Sequence, residues 1–404
     1  MTKLTLTSRP GILIINGGSS SIRFAAYSLD KRPIVILTGK IDRIGLSDTR
    51  LNAKEILSGK NHSCDIDGTD HARVAAQLLK WLNTQARFCL IQAVGHRLVH
   101  GMNLSDATLI TPSLLAELKE AAPYDPEHLP LEIALIEACI EHYPSLQQVA
   151  CFDSVFHHGM PRVASQLPLP RHYEEQGLRR YGYHGLSCEY LMQELHRLGD
   201  PAAVSGRVIL AHLGNGASMT AVLAGQSVDT SMGFTPSSGM MMGTRSGDMD
   251  PGVAVFLSRS GQLDSEQFYT MVNHESGLLG VSGRSSDVRE LLAIEADDVP
   301  AAEAIALFCY QAAKLIGAYS AALGGLDTLV FAGGIGENSP QIRKRICGNL
   351  GFLGITLNRT RNLEATPIIS ADCATVKVRV IATNEEIIMV HSVKRVLKLD
   401  VIQY

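Results

Sequence analysis

The chain carries one short pattern twice. Residues 12–22 read ILIINGGSSSI and residues 209–219 read ILAHLGNGASM, with Ile12, Leu13, Gly17 and Ser21 matched by Ile209, Leu210, Gly214 and Ser218 at one constant offset. In each copy an apolar strand enters a Gly/Ser turn and a second apolar run leaves it, which is a hairpin signature. Duplication explains such a match better than chance and predicts two similar halves. At 404 residues the chain is also too long for one ordinary core. Each turn offers backbone N–H and hydroxyl donors that suit phosphate oxygens. Pockets favour domain interfaces, so the repeat predicts a nucleotide held in a cleft between the halves.

Charge and composition narrow the function classes. A formal net charge of −4 and a pI near 6.4 give no basic footprint for nucleic acid and no cationic face for an anionic membrane. No apolar run reaches the roughly 18 residues that a membrane helix needs. The first residues, MTKLTLTSRPG, lack the apolar core of a secretory signal, so the expected location is the cytoplasm. Eight cysteines (Cys64, Cys89, Cys139, Cys151, Cys188, Cys309, Cys347 and Cys373) include no C-x-x-C pair. They read as reduced thiols, neither a disulfide framework nor a zinc site.

The stretch Asp229–Pro251, DTSMGFTPSSGMMMGTRSGDMDP, reads as a long functional loop, because its methionines and Phe234 argue against disorder. Its single arginine, Arg245, lies between Gly243 and Gly247, on backbone that can approach a bound group. The planar fork of an arginine suits phosphate or carboxylate oxygens. Elsewhere, VGHRLVHGMN places Arg97 on a strand-like run, read equally well as an edge strand with a surface arginine. VACFDSVF is a buried-type strand interrupted by Asp153, and a lone acid there is more often functional or capping than core. RYGYHG sets His184 between Gly182 and Gly185, as a turn residue or a catalytic one. Helical periodicity covers Ser113–Glu120, Leu131–His142 and Ala301–Leu323.

Ser285 or Ser286 is expected to cap a helix whose first turn carries Asp287 and Arg289. LDTLVFAGGIGENS reads as a strand, a turn with Gly333, Gly334 and Gly336, and a helix start at Ser339 and Pro340. Neither the dinucleotide fingerprint nor the phosphate-loop signature is present. Thr383 and Glu386 fit a capping box, which leaves Glu385 for other work. With no zinc-type spacing and no nucleophile elbow, phosphoryl transfer is the chemistry these glycine turns and separated arginines serve best. The residues alone leave the acceptor open.

The segments NGGSSSIRF, GHRLVHG, FDSVFH, RRYGYHG, HLGNGAS, DTSMGFTP, MMGTRSGDMDP, ESGLLGVSG, SSDVR, FAGGIGENS and TNEE occur along nearly the whole chain in the order found in the acetate kinase family, which the sequence therefore resembles. That family comprises short-chain acyl kinases of the actin, sugar kinase and hsp70-like superfamily. The resemblance implies an α/β fold of two duplicated ribonuclease H-like, actin-like ATPase domains with a cleft between them. It places the first at residues 1–153, with a C-terminal helix at 385–404 packing back on it, and the second, which binds nucleotide and dimerises, at 154–384. It implies Mg²⁺ (or Mn²⁺) dependent, reversible transfer from ATP to acetate or propionate in a homodimer; the alternative is another small carboxylate or a hydroxyl acceptor on the same fold.

Carried over by motif, Asn16 and Glu385 would hold the metal and Asp153 would be the essential acid. Arg97 and Arg245 would bind the carboxylate and the moving phosphoryl group, with His184 contacting that group. Arg23, the run His212, Leu213, Gly214, Asn215 and Gly216, and Asp287, Val288 and Arg289 would meet the nucleotide, together with Gly333, Gly334, Ile335, Gly336, Glu337 and Asn338. Val99, Tyr183 and Pro236 would border the acyl group beside Arg97. This chain has Gly17 where the family has Cys, Arg23 where it has Lys, Pro123-Tyr124-Asp125-Pro126-Glu127-His128 where it has P-L-H-N-P, and Tyr183 where it has Phe. A carboxylic acid acceptor, with a pKa near the 4.3 or so of Glu, is already ionised at neutral pH and needs no base. Asp153 is therefore expected to position a group or a metal-bound water, not to accept a proton.

Overall fold

The computed structural model describes residues 10–18, 21–46, 48–68, 70–85 and 90–399. Ser19 and Ser20 of the first Gly/Ser turn, Cys89 and residues 400–404 of the expected terminal helix lie outside them. Two compact units emerge, Met1–Val155 with Asn384–Tyr404, and Phe156–Thr383.

The first unit is built on a sheet of eight strands, β1 (Gly11–Gly17), β2 (Ser21–Ser28), β3 (Val35–Asp42), β4 (Arg50–Glu55), β5 (Asn61–Asp65), β6 (Ile91–Leu98), β7 (Thr108–Leu109) and β8 (Gln147–Phe152), in the order β5-β4-β3-β2-β1-β6-β8-β7. β1 pairs antiparallel with β2 and parallel with β6, and β6 runs parallel with β8. Ile12, Leu13, Ile14 and Ile15 are all buried, the continuous apolar run expected of a strand covered on both faces. Val74, Leu78 and Leu82 of the helix His71–Asn83 cover one face. Leu114 and Leu118 of Pro112–Ala121, with Leu129, Ile133 and Ile136 of Leu129–His142, form a second cluster with Leu98 and Phe152. The helix Glu385–Val396 packs on β1, β6 and β8.

The second unit repeats the plan with β9 (Arg207–Leu213), β10 (Ala217–Leu223), β11 (Gln226–Thr230), β12 (Thr328–Ala332) and β13 (Lys377–Val380), in the order β11-β10-β9-β12-β13. β9 pairs antiparallel with β10 and parallel with β12, which runs parallel with β13. The strands of the two sequence repeats thus occupy equivalent places in two sheets. The helix Val299–Leu323 starts at Asp298, whose side chain accepts from the Ala301 N–H, and stops at Gly324 with φ +69°. It packs on β9 and β10 through a face that includes the buried Ala304, Ile305, Phe308, Ala312 and Ile316. By length and composition alone this helix could cross a membrane, although Glu303 and Lys314 interrupt it, so no apolar run reaches 18 residues. Its long buried stripe belongs to the core.

Two capping expectations are corrected and a third holds. Asp287 is itself the N-cap of Val288–Ile294, its carboxylate accepting from the Arg289 N–H, so neither Ser285 nor Ser286 has that place. Asn384, not Thr383, caps Glu385–Val396 by accepting from the Ile387 N–H. Ser339 and Pro340 do start the helix Pro340–Cys347, with Ser339 at the N-cap position though without a side-chain cap bond, whereas the glycine turn before them is itself a helix, Gly333–Asn338. At Asp287 and Asn384 a carboxylate or amide one residue away won over the serine or threonine hydroxyl.

Candidate active site

In the first unit, register builds the site. Asn16 on β1 faces Arg23 on β2 and Arg97 on β6, so three polar side chains form one row across adjacent strands. β6 lies between β1 and β8, which overturns the edge-strand reading of Arg97. Asp153 follows β8 directly and gives its N–H to the Leu98 carbonyl, which sets its carboxylate beside the row. Arg97 Nη2 donates to Asp153 Oδ2 at 2.5 Å and Nη1 donates to Glu132 Oε1 at 3.1 Å. Glu132 also accepts the Val99 N–H at 3.0 and 3.2 Å. Sequence reasoning missed Glu132; its signal was an acid set among Leu129, Ile133 and Ile136 on the buried side of a helix.

Electrostatics in this cluster follow from burial. Asp153 and Glu132 are each 2% exposed. Burial pushes the Glu132 carboxyl up, while Arg97 and the Val99 N–H, which both donate to it, pull it back toward the charged form. Burial alone would lower the Arg97 guanidinium, but the charges of Asp153, Glu132 and Glu385 outweigh it and raise it. Glu385, the first residue of its helix, is pushed up to about 7 by burial and then by the charge of Asp153. Asp153 Oδ1 and Arg97 Nε are buried without a hydrogen-bond partner among the described residues. A buried Glu385 carboxyl raised in part by the charge of Asp153, an orphaned Asp153 oxygen and the Asn16 amide in the same unit fit a hard divalent cation. No group of three or more His, Cys, Asp or Glu among the described residues could cage a metal, so such an ion would keep most of its water.

The altered segment also lies in this unit. Asp125, 4% exposed, sits 3.0 Å from the His128 ring. Burial pushes the Asp125 carboxyl up, but its bonds to His128 prevail and hold it below the usual range. Val99 is buried, and its contribution here is the N–H given to Glu132.

The second unit holds the other predicted residues. His184, with φ +60°, starts the helix Gly185–Arg197, and its Nδ1 lies 2.9 Å from Ser218 Oγ. Its ring stacks on His212, with centroids 4.3 Å apart. His212 is 2.8 Å from Ser187 Oγ, and burial pushes it down to about 4, so it is neutral at pH 7. Gly216 has just enough room: a Cβ there would stand 3.4 Å from His184 Nε2 and 3.7 Å from Arg245 Nη1, which brings His184, Gly216 and Arg245 to one spot. The Arg245 loop is pinned by Gly243 N–H to the Asn215 carbonyl and by Met242 N–H to the Arg245 carbonyl, both 2.9 Å, over buried Met240, Met241 and Met242. Arg245 Nη1 donates to the Pro236 carbonyl at 3.2 Å. The Tyr183 hydroxyl donates to the Phe234 carbonyl at 2.5 Å and is anchored to the same loop.

A cavity of about 760 Å³, well within the range of ligand pockets, lies beside these groups. Gly214, Asn215, Asp287, Val288, Arg289, Gly334, Ile335 and Asn338 line it, as do Ser286, Leu292, Ala293, Ser339 and Gln341, which the sequence did not single out. Leu213, Gly333 and Gly336 are buried behind it: Gly333 has φ +74°, and a Cβ there would meet the Leu213 carbonyl oxygen at 2.7 Å. His212, Gly216 and Glu337 are not among the cavity's lining residues, and Glu337 Oε1 instead accepts the Thr383 N–H at 3.4 Å. Arg23 belongs to the other unit, beside Asn16.

Comparison with known proteins identifies this constellation. The model of the Acetokinase family matches residues 11–391. An acetate kinase of Rhodopseudomonas palustris is 43% identical over 393 residues, 95% of this chain and 98% of that protein. A propionate kinase of Citrobacter rodentium is 40% identical over 392 residues, 95% of this chain and 96% of that protein. The crystal structure of a propionate kinase from Francisella tularensis superposes with a TM-score of 0.89 at 34% identity, covering 95% of this chain and 98% of that one. The fold is therefore that of the acetate and propionate kinases, and the chain belongs to the acetokinase family, phosphotransferases whose acceptor is a carboxyl group.

Proposed function

We propose that this chain transfers the γ-phosphoryl group of ATP to acetate or propionate, giving an acyl phosphate and ADP, with Mg²⁺ (or Mn²⁺) bound. The observation that carries the reading is the row Arg23, Asn16 and Arg97 with Asp153 against it, supported by relatives that act on acetate and propionate. Arg97 holds the acceptor carboxylate, and Asp153 holds Arg97. An ionised acceptor requires no base, so the role of Asp153 in this reading is to hold Arg97. Asn16 and Glu385 hold the metal, which supplies charge neutralisation at the phosphates. Arg245 and His184 meet the phosphoryl group, where preorganised donors contribute roughly 10²- to 10³-fold in rate each. The adenine and ribose occupy the 760 Å³ cavity.

The need for ATP favours the cytoplasm as the enzyme's location. The homodimer implied by the family resemblance will be tested by light scattering. The substrate reading is tested by trapping acyl phosphate as hydroxamate with a panel of short acids. Acetate and propionate are expected to lead; no product from any acid would refute it.

A further inference from the structure

We infer that Glu132 is a positioning residue for Arg97, fixing the direction in which that arginine presents its remaining donors to the acceptor carboxylate. The inference deepens the reading of Arg97 given above and rests on it.

Its cost to the fold is the first argument. Glu132 is 2% exposed on a helix face whose other members, Leu129, Ile133 and Ile136, are apolar and buried. A leucine there would add to the core, whereas a buried carboxylate must be matched by partners merely to break even. Glu132 has two such partners, and both belong to the end of β6. One oxygen takes Arg97 Nη1 at 3.1 Å, and the pair of oxygens takes the Val99 N–H at 3.2 and 3.0 Å. One carboxylate thus grips the side chain of Arg97 and the backbone two residues beyond it.

Geometry supplies the second argument. A guanidinium held at a single nitrogen can swing about that bond. Arg97 is held at both terminal nitrogens by carboxylates from different elements, Asp153 after β8 and Glu132 on the helix Leu129–His142. Two anchors fix the plane of the fork and leave Nε–H and one hydrogen on each terminal nitrogen for a ligand. Nε has no acceptor among the described residues although it is buried. The approach of the helix is itself provided for at Gly17, where a Cβ would stand 2.5 Å from Leu135 Cδ1 and 3.9 Å from Glu132 Cγ. The missing side chain lets the helix bring Glu132 close to the end of β1.

The test uses the full chain with Glu132→Gln and Glu132→Asp. Glutamine keeps a carbonyl oxygen for the Val99 N–H but offers Arg97 no charge and only one acceptor. We expect Glu132→Gln to lower kcat/KM for the better of acetate and propionate roughly 10- to 100-fold, as a misoriented binding group does. The loss should fall on the acid, through its KM, while the KM for ATP stays within about twofold. Glu132→Asp, which retains the charge, should recover part of it. Unchanged kinetics in Glu132→Gln would overturn the inference, and so would equal losses toward acid and ATP, or a glutamine and an aspartate variant impaired alike. Failure of the Arg97 reading shows separately: Arg97→Lys would then leave the KM for the acid unchanged.

Discussion

The two sheets share a plan and differ at the row that ends it. β3-β2-β1-β6-β8 in the first unit and β11-β10-β9-β12-β13 in the second have the same order and the same strand directions at their centres. In the first unit that row is Arg23, Asn16 and Arg97; in the second it is Ser218, His212 and Ala332. One end is ionic and lined with buried acids. The other is neutral, with His212 pushed down to about 4 and glycines at 214, 216 and 334 leaving backbone accessible. The duplicated scaffold supplies a place at the strand ends, and residue identity there decides whether it suits a carboxylate and a hard cation or a polyphosphate that wants N–H donors.

The strongest way to break this contrast is to remove the central charge from each end. Arg97→Ala leaves Asp153 and Glu132 buried against each other, so it should cost about 3–5 kcal/mol of stability in addition to activity. Denaturant titration reads the stability, and an unchanged midpoint would mean that the acids simply protonate. Arg245→Ala removes a group that, as proposed, meets the phosphoryl group in flight. Turnover should fall roughly 10²-fold or more with the KM for ATP nearly unchanged. A loss confined to ATP affinity would reassign Arg245 to the nucleotide end.

Much of this contrast is legible in the sequence, and the reasons mark where it stops. The repeat is local, a strand and its turn, so Ile12–Ser21 and Ile209–Ser218 reveal both sheets from residue order alone. Arg97, Asp153, His184 and Arg245 stand out because polar groups interrupt apolar runs or glycine turns. Glu132 did not, because its partners are 33 to 35 residues away and its own helix reads as ordinary. The cap positions failed for a smaller reason. Asp287 and Asn384 lie next to serine and threonine, and only the backbone angles tell which residue is the last extended one. Leu292, Ala293 and Gln341 line the cavity through helix faces whose direction no short motif encodes.

Glycine substitutions sharpen the comparison at intermediate cost. Gly333 and Gly17 both end a central strand, but for different reasons. At Gly333 the backbone has φ +74° and a Cβ meets the Leu213 carbonyl oxygen, which cannot move without disturbing β9. Gly333→Ala should therefore cost about 1–3 kcal/mol and weaken nucleotide binding. At Gly17 the clash is with the tip of Leu135, which can change rotamer, so Gly17→Ala should cost under about 1.5 kcal/mol. Differential scanning calorimetry with and without ADP measures both. Equal costs would show that the nucleotide end is no more rigid than the charged end.

The smallest expected effect tests whether each unit's core keeps a neutral histidine. His96 lies 2.7 Å from Gln148 Oε1 in the first unit, and His157 lies 2.9 Å from Ser227 Oγ and 3.0 Å from the Tyr183 carbonyl in the second. Burial pushes both down to about 4. Because the folded pKa is below the unfolded value, the unfolded chain binds the proton first, so stability is complete above about 6.5 and declines as pH falls toward 4. At pH 6 the decline amounts to about 1 kcal/mol for each histidine, relative to pH 8. His96→Gln and His157→Gln should each flatten the pH dependence of the unfolding free energy by that amount while lowering stability at pH 8. If only one of them does so, the other ring is protonated in the folded chain, and the carbonyl beside His157 makes it the more favourable place for that proton.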